Sequence, residues 1–395
     1  MDQLAVVEDR IEELAGRVDA AIRAILDRSL ESAPGREHPV VRLIHGSIYD
    51  YLENGGKRMH GTSVLLAFAA AGGSPIDAIL PVAAGFQLYH HHTLVHDDIY
   101  DQDSRRRGSP TIHRAFADWF ERANGGPRGH APPGIGIFTS CSGRLGTVAG
   151  FIQGKIVHAL AFESIAQAPF PASERLAALR ALNSHDLGDN ASEVIDVVDE
   201  GSQVPEPDAC LEIARLKTGR LFRVGAETAG RLAGASPGQM SALSDWAGAV
   251  STAYQLQDDL EDLETDSEKG AGRGIGTDLR TCKPTYLLSI ALERANAADH
   301  RTLCDWIASP TDRADDLERI IAAVRATGAV DACREKVAAL VAEGRSVLYS
   351  TEPPLDPEAL ALMARFGEYF VSKRYWKRSL PLPRDPLAAG KRGYA

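Results

Sequence analysis

The sequence predicts an all-α protein. Apolar residues recur at three- and four-residue intervals along nearly the whole chain, the period of an amphipathic helix. Strong helix formers (Ala, Leu, Glu, Arg) dominate, and runs of alternating β-branched residues are almost absent. The periodicity places helices over about 2–30, 38–53, 57–71, 75–101, 110–122, 143–167, 172–199, 206–233, 237–265, 283–294, 297–308, 312–326, 329–350 and 355–377. Gly55-Gly56 and Gly72-Gly73 read as helix stops, and Ser236-Pro237 as an N-cap followed by proline at the first helical position. Three stretches break the pattern. Residues 123–142 are rich in Gly and Pro and predict a loop, glycines beside Lys and Arg in 265–282 predict a mobile loop, and the end of the chain predicts a disordered tail.

A chain of 395 residues can bury a large core, and no linker divides it. The expected organisation is an N-terminal helix and loop over 1–37, one domain over 38–378 and a tail over 379–395. The formal net charge of −11 argues against a general nucleic-acid binder, whose footprint is basic, while leaving room for local basic clusters. Five cysteines with no CxxC spacing argue against a disulfide framework or a zinc ribbon and point to a reducing cytoplasm. The acidic, amphipathic start lacks a signal peptide's pattern, and no uninterrupted apolar run predicts a transmembrane segment.

Chemistry concentrates in two repeated patterns. In His96-Asp97-Asp98-Ile99-Tyr100-Asp101, a helix puts Asp97 and Asp101 one turn apart on one face. Stacked carboxylates repel, so such a face gains from a hard divalent cation, and Mg²⁺ characteristically takes one or two carboxylates plus substrate phosphates. The spacing returns in Gln255-Leu256-Gln257-Asp258-Asp259-Leu260-Glu261-Asp262, again at the end of an apolar helix. A lone DDxxD is more often a solvated face; two of them, with cations suited to diphosphate around them, are not. Those cations are Lys57 and Arg58, Arg105 to Arg107, Lys217 beside Thr218, and Lys283. His90-His91-His92 cannot hold one ion among themselves, because consecutive helical residues point about 100° apart.

With GGKR at 55–58, HDDIYD at 96–101, RRGSPT at 106–111, KT at 217–218, YQLQDDLED at 254–262 and GTDLRTCKPT at 276–285, the chain resembles the trans-isoprenyl diphosphate synthases, the farnesyl and geranylgeranyl diphosphate synthase family, over about 38–377. The resemblance implies an antiparallel helical bundle around a deep central cavity, a homodimer, and a prenyltransferase with Mg²⁺, three ions in the family. It assigns Asp97, Asp101, Asp258 and Asp262 to metal, with Asp98 and Asp259 in support. Arg106, Lys217, Thr218, Gln255 and Lys283 would hold an allylic prenyl diphosphate. Lys57, His90 and Arg107, with Arg58 and His60 alongside, would hold isopentenyl diphosphate. The expected product is a C15–C20 trans-prenyl diphosphate, because Thr93 and His92, four and five before the first motif, are small and of intermediate bulk.

Four departures stand out. The family reads GGKRxRP where this chain has His60-Gly61, so an arginine expected to grip isopentenyl diphosphate becomes a shorter group, partly charged at neutral pH. Gly154-Lys155 replaces Gly-Asp, Glu193 stands where a Gln is usual, three before Asp196, and the 123–142 loop is long. The first departure leaves a second function open: the ionised substrate passes to a non-isoprenoid acceptor, such as an aromatic, or cyclises. The basic Lys373–Arg378 resembles a segment that closes over substrate in some relatives.

Overall fold

A computed structural model describes residues 3–53, 55–124, 138, 140–199, 204–263, 275–311 and 313–372. Most of the expected 123–142 loop, residues 264–274, the basic segment 373–378 and the tail lie outside them, as do the side chains of Asp196 and a few residues near it.

The described residues are helical apart from one two-stranded hairpin. In order they are α1 Gln3–Ser32, α2 Pro39–Glu53, α3 Met59–Ala70, a 3₁₀ turn Ile76–Ile79, α4 Leu80–Tyr100, strands β1 Arg105–Arg106 and β2 Ser109–Pro110, α5 Ile112–Ala123, α6 Cys141–Ala166, α7 Ala172–Asp199, α8 Pro207–Lys217, α9 Gly219–Ala233, α10 Pro237–Glu261, α11 Thr277–Arg280, α12 Tyr286–Arg294, α13 Ala297–Ala308, α14 Ala314–Ala326, α15 Ala329–Tyr349 and α16 Pro357–Val371. The N-cap at Ser236 is present as a full capping box with Gln239.

Two differences from the sequence reading matter for the site. The helix expected over 206–233 is two, α8 and α9, broken at Thr218. There the Thr218 hydroxyl bonds the Gln255 side chain, and Gly219 lies so close to α10 that an added Cβ would stand 3.3 Å from Ser251 Oγ. The segment after the second motif includes the short helix α11, held by Asp262.

Packing builds one large core, a second smaller one, and a third small cluster of Leu43, Tyr51, Val95, Ile112, Phe116 and Ala149 beside the first motif. The large core gathers α1, α3, α4, α6, α9 and α16 around Val64, Phe86, Phe222 and Phe366. Each such side chain, fully buried, contributes about 1.5–3 kcal/mol. The first helix belongs to this core: Val18 packs against Gly61, where a Cβ would come within 2.7 Å of the valine. The second core joins α8, α12, α13, α14 and most of α15 around Leu256, Leu288 and Ile320. Helix α10 runs through both, with Trp246 and Val250 in the first and Ala253, Leu256 and Leu260 in the second. Among the described residues one helix, α6, is long and apolar enough to cross a membrane, but Arg144, Gln153 and Lys155 interrupt it and α4 and α5 pack against it as against a core helix.

Candidate active site

The first motif sits in the last turn of α4. Its three aspartates have three fates. Asp98 is only 1% exposed; it accepts a 2.6 Å bond from Arg106 Nε and a 3.3 Å bond from the Tyr51 hydroxyl. Asp101 is exposed at the helix end. Asp97 lies between them, and burial together with the nearby Glu193 carboxylate pushes it up to about 8, against the pull of Lys217 and Arg106. Burial first and a second carboxylate next disfavour its charged form, and a divalent cation bound there would favour it. The donor set (Asp97, Asp101 and Glu193, all oxygen) suits a hard ion such as Mg²⁺. Glu193 therefore joins the site as an added carboxylate and also pairs with Lys217, Nζ to Oε1 3.4 Å.

Arg106 reaches Asp98 because RRGSPT folds as a β-hairpin, Arg105 opposite Pro110 and Arg106 opposite Ser109. Its two central residues, Arg107 and Gly108, both have positive φ (51° and 76°), as a type I′ turn requires. The same turn sends Arg107 back to Gly55, whose carbonyl accepts from Nη1 at 2.9 Å.

The second motif ends α10. Asp258 is half-buried. Asp259 accepts from Gln255 Nε2 at 2.9 Å, and Gln255 in turn accepts from Thr218, so the broken helix and the motif form one chain of bonds. Asp262 is 1% exposed, and its two carboxylate oxygens accept the backbone N–H groups of Thr277 and Asp278 at 3.1 and 2.9 Å. The structure thus turns Asp262 toward the following loop as an anchor. Lys283 is half-buried between α11 and α12, its backbone N–H on the Asp278 carbonyl. Helix α9 packs against both motif helices.

A cationic pocket lies beside the first motif, lined by Lys57, Arg107, His90, His91, Gln87 and Tyr254 among others. Lys57 Nζ stands 4.7 Å from the Tyr254 ring centre and 5.7 Å from that of Phe370, a cation held over aromatic faces. Gly56 is required here: at φ 112°, its missing side chain leaves room for the guanidinium groups of both Arg107 and Arg58, which a Cβ would approach to 2.7 and 2.8 Å.

Two residues expected to hold isopentenyl diphosphate make other contacts at this pocket. Arg58 lines it, yet its donors are directed to the protein: Nε to Asp19, Nη2 to the Leu52 carbonyl, and Nη1 to the carbonyls of Gly55 and Gly56. It is a brace for the glycine turn. His60 does not add a partial charge. It is 6% exposed and packs between the tilted rings of His90 and Phe222, with ring centres 4.3 and 4.1 Å away, and burial followed by His90 lowers it well below the usual histidine range. Gly61 donates its N–H to Gln87, a bond proline could not make.

Sequence reading missed Tyr51, Tyr254, Phe370 and Gln87. Tyr254 was within reach, standing four residues before Asp258 on the same helical face; Tyr51 and Phe370 come from helices remote in sequence, and nothing local marks them.

The polyprenyl synthetase family model matches residues 41–324. Octaprenyl diphosphate synthase of Escherichia coli (strain K12) is 28% identical over 337 residues, covering 83% of this chain and 88% of that protein. Geranylgeranyl diphosphate synthase of Methanosarcina mazei is 25% identical over 380 residues, covering 94% and 99%. Among solved structures, geranylgeranyl pyrophosphate synthase from Corynebacterium glutamicum, complexed with isoprenyl diphosphate and magnesium, superposes with a TM-score of 0.79 at 23% identity, over 92% of this chain and 99% of that one.

Proposed function

Because the chain belongs to the polyprenyl synthetase family and is a prenyltransferase of that kind, we propose that it ionises an allylic prenyl diphosphate with Mg²⁺ and joins the resulting cation to isopentenyl diphosphate, giving a C15–C20 product. The observation that carries this reading is the separation of charge. Carboxylates gather at Asp97, Asp101 and Glu193, with Arg106 and Lys217 paired to Asp98 and Glu193, and Lys57 and Arg107 line a cationic pocket of their own.

Asp97, Asp101 and Asp258 would hold Mg²⁺, three ions in all, with Glu193 adding a carboxylate and Asp98 and Asp259 keeping their neighbours in place. Bound there, the metal supplies Lewis-acid neutralisation of the leaving diphosphate. Lys217 and Arg106 flank the departing oxygens as fixed donors, worth more in a dry site than in water. Lys57 and Arg107 hold the second diphosphate, and His90 lines that pocket as a neutral ring. Exposed Val148 and Ile152 of α6 and Leu187, Val194 and Val198 of α7 form an apolar face suited to the homodimer.

His60 favours a second reading, in which another acceptor takes the cation, because it supplies no charge where the family has arginine. A product assay separates the two. The protein with Mg²⁺ is incubated with dimethylallyl, geranyl, farnesyl or geranylgeranyl diphosphate, with and without isopentenyl diphosphate, and the products are weighed by mass spectrometry. Longer diphosphates that appear only with isopentenyl diphosphate support elongation and give its length. Diphosphate release without elongation sinks it in favour of the alternative acceptor.

A further inference from the structure

On α4 the three consecutive histidines diverge. His90 faces His60, His91 bonds the Gln87 carbonyl, and His92 turns toward α6 and α7. There it meets His158 and Asp186, and one ligand atom from each of the three lies within 4.8 Å of the others. His158 Nε2 and Asp186 Oδ2 are 3.2 Å apart. Two ligands of a tetrahedral Zn²⁺ with bonds of about 2.0–2.1 Å stand ~3.3 Å apart. One pair is therefore already at ligand spacing, and side-chain rotation closes the rest.

We propose that His92, His158 and Asp186 form a second metal site, for Zn²⁺ or a similar first-row transition ion, that ties α4, α6 and α7 together. Three further observations point to a ligand. His92 is 6% exposed, and its Nδ1 is buried with no hydrogen-bond partner, so the ring has an unused donor pair inside the protein. The protonation states also suit a metal. Burial, with His96 and His158 adding, lowers His92 to about 3; burial would raise Asp186, but bonds from His158 and Tyr89 prevail and hold it near 2. Finally, Asp186 is oriented from outside the trio: its Oδ1 accepts from the Tyr89 hydroxyl at 2.9 Å and from Asn190 at 3.1 Å, leaving Oδ2 for the ion.

Binding would displace the proton that now bridges His158 and Asp186, His158 shifting it to Nδ1. Water, or His96 with its ring 4.4 Å from that of His92, completes the shell. Two imidazoles select against Mg²⁺. His92 lies five residues before Asp97, about 7.5 Å deeper along the helix, so the ion is not one of those at the aspartates.

The test uses the full chain, freed of metal by chelation and then saturated with Mg²⁺. Zn²⁺ is titrated by calorimetry, and Co²⁺ is followed by its visible absorption. One Zn²⁺ per chain is expected, with the Co²⁺ bands of a low-coordinate nitrogen–oxygen site. His158→Ala and Asp186→Asn should each weaken binding at least ~100-fold, and Tyr89→Phe about 10-fold. Asp97→Ala should leave it unchanged. No saturable Zn²⁺ binding by the wild-type chain overturns the proposal, as does binding that survives Asp186→Asn but disappears in Asp97→Ala. If His158→Ala does not fold, the nearly isosteric Asp186→Asn decides. None of these outcomes bears on prenyl transfer, so the two readings stand or fall separately.

Discussion

The two aspartate-rich motifs are alike in sequence and unlike in use. In the first, Asp98 is tied into the scaffold by Arg106 and Tyr51, while burial and the neighbouring Glu193 disfavour the charged form of Asp97. In the second, Asp259 is held by Gln255 and Asp262 by two backbone amides of the segment that follows. The first motif is built chiefly to collect charge, and the second to collect charge and to fasten the loop that follows it. Identical DDxxD spacing therefore does not mean identical sensitivity to mutation.

The largest expected effect falls on the residues the two motifs share in function. Asp97→Ala and Asp258→Ala should each lower the rate of diphosphate release by at least about 10²–10³-fold, the scale of losing one element of transition-state charge stabilisation, with little change in thermal midpoint. Near-normal turnover in either would break the comparison at its root. Asp262→Ala should behave otherwise. It leaves two buried N–H groups without acceptors at about 1–3 kcal/mol each, so the thermal midpoint falls together with activity. A stable but inactive Asp262→Ala protein would show instead that Asp262 acts like Asp97. In the metal-free protein, Asp97→Asn should raise the midpoint slightly by removing repulsion, whereas Asp262→Asn should lower it.

Acid should distinguish the motifs next. Helix α4 carries His90, His91 and His92, all held below the ordinary histidine range, first by burial and then by neighbouring cations or imidazoles; α10 carries no histidine. Each binds its proton in the unfolded chain near pH 6.5 but not in the folded one, so stability is full above that pH and is lost as pH falls below it toward the depressed folded values. Hydrogen exchange in metal-free protein should therefore rise in α4 before α10 on acidification from pH 7 to 5. Equal rates in the two helices would contradict the assignment of neutral histidines. The smallest effect belongs to Tyr51→Phe, which removes one 3.3 Å bond to Asp98, worth about 0.5–1.5 kcal/mol; a shift in activity of a few-fold would suffice to support it.

Much of this was legible in the sequence. The helical period predicts the fold class, and type and spacing single out the cations and aspartates of the candidate site. What escaped depended on contacts between distant residues. Arg58 reads as a substrate grip until its guanidinium is seen wrapped around the Gly55-Gly56 turn and Asp19. His60 reads as a weak cation until Phe222, remote in sequence, is seen packed against it. The break at Thr218, where its hydroxyl meets Gln255 and Gly219 packs against Ser251, depends on α10 and is not marked by periodicity. The trio of His92, His158 and Asp186 has no motif, since each comes from a different helix.

Helix α10, which passes through both cores, has one more consequence. Trp246 at one end and Leu260 at the other are rooted in different clusters but share an uninterrupted backbone. Neither cluster can melt while the other stays intact without breaking that helix in mid-span. These two of the chain's packing clusters are therefore expected to lose order together, and damage far out on α12 or α14 to reach the second aspartate motif through the shared rod.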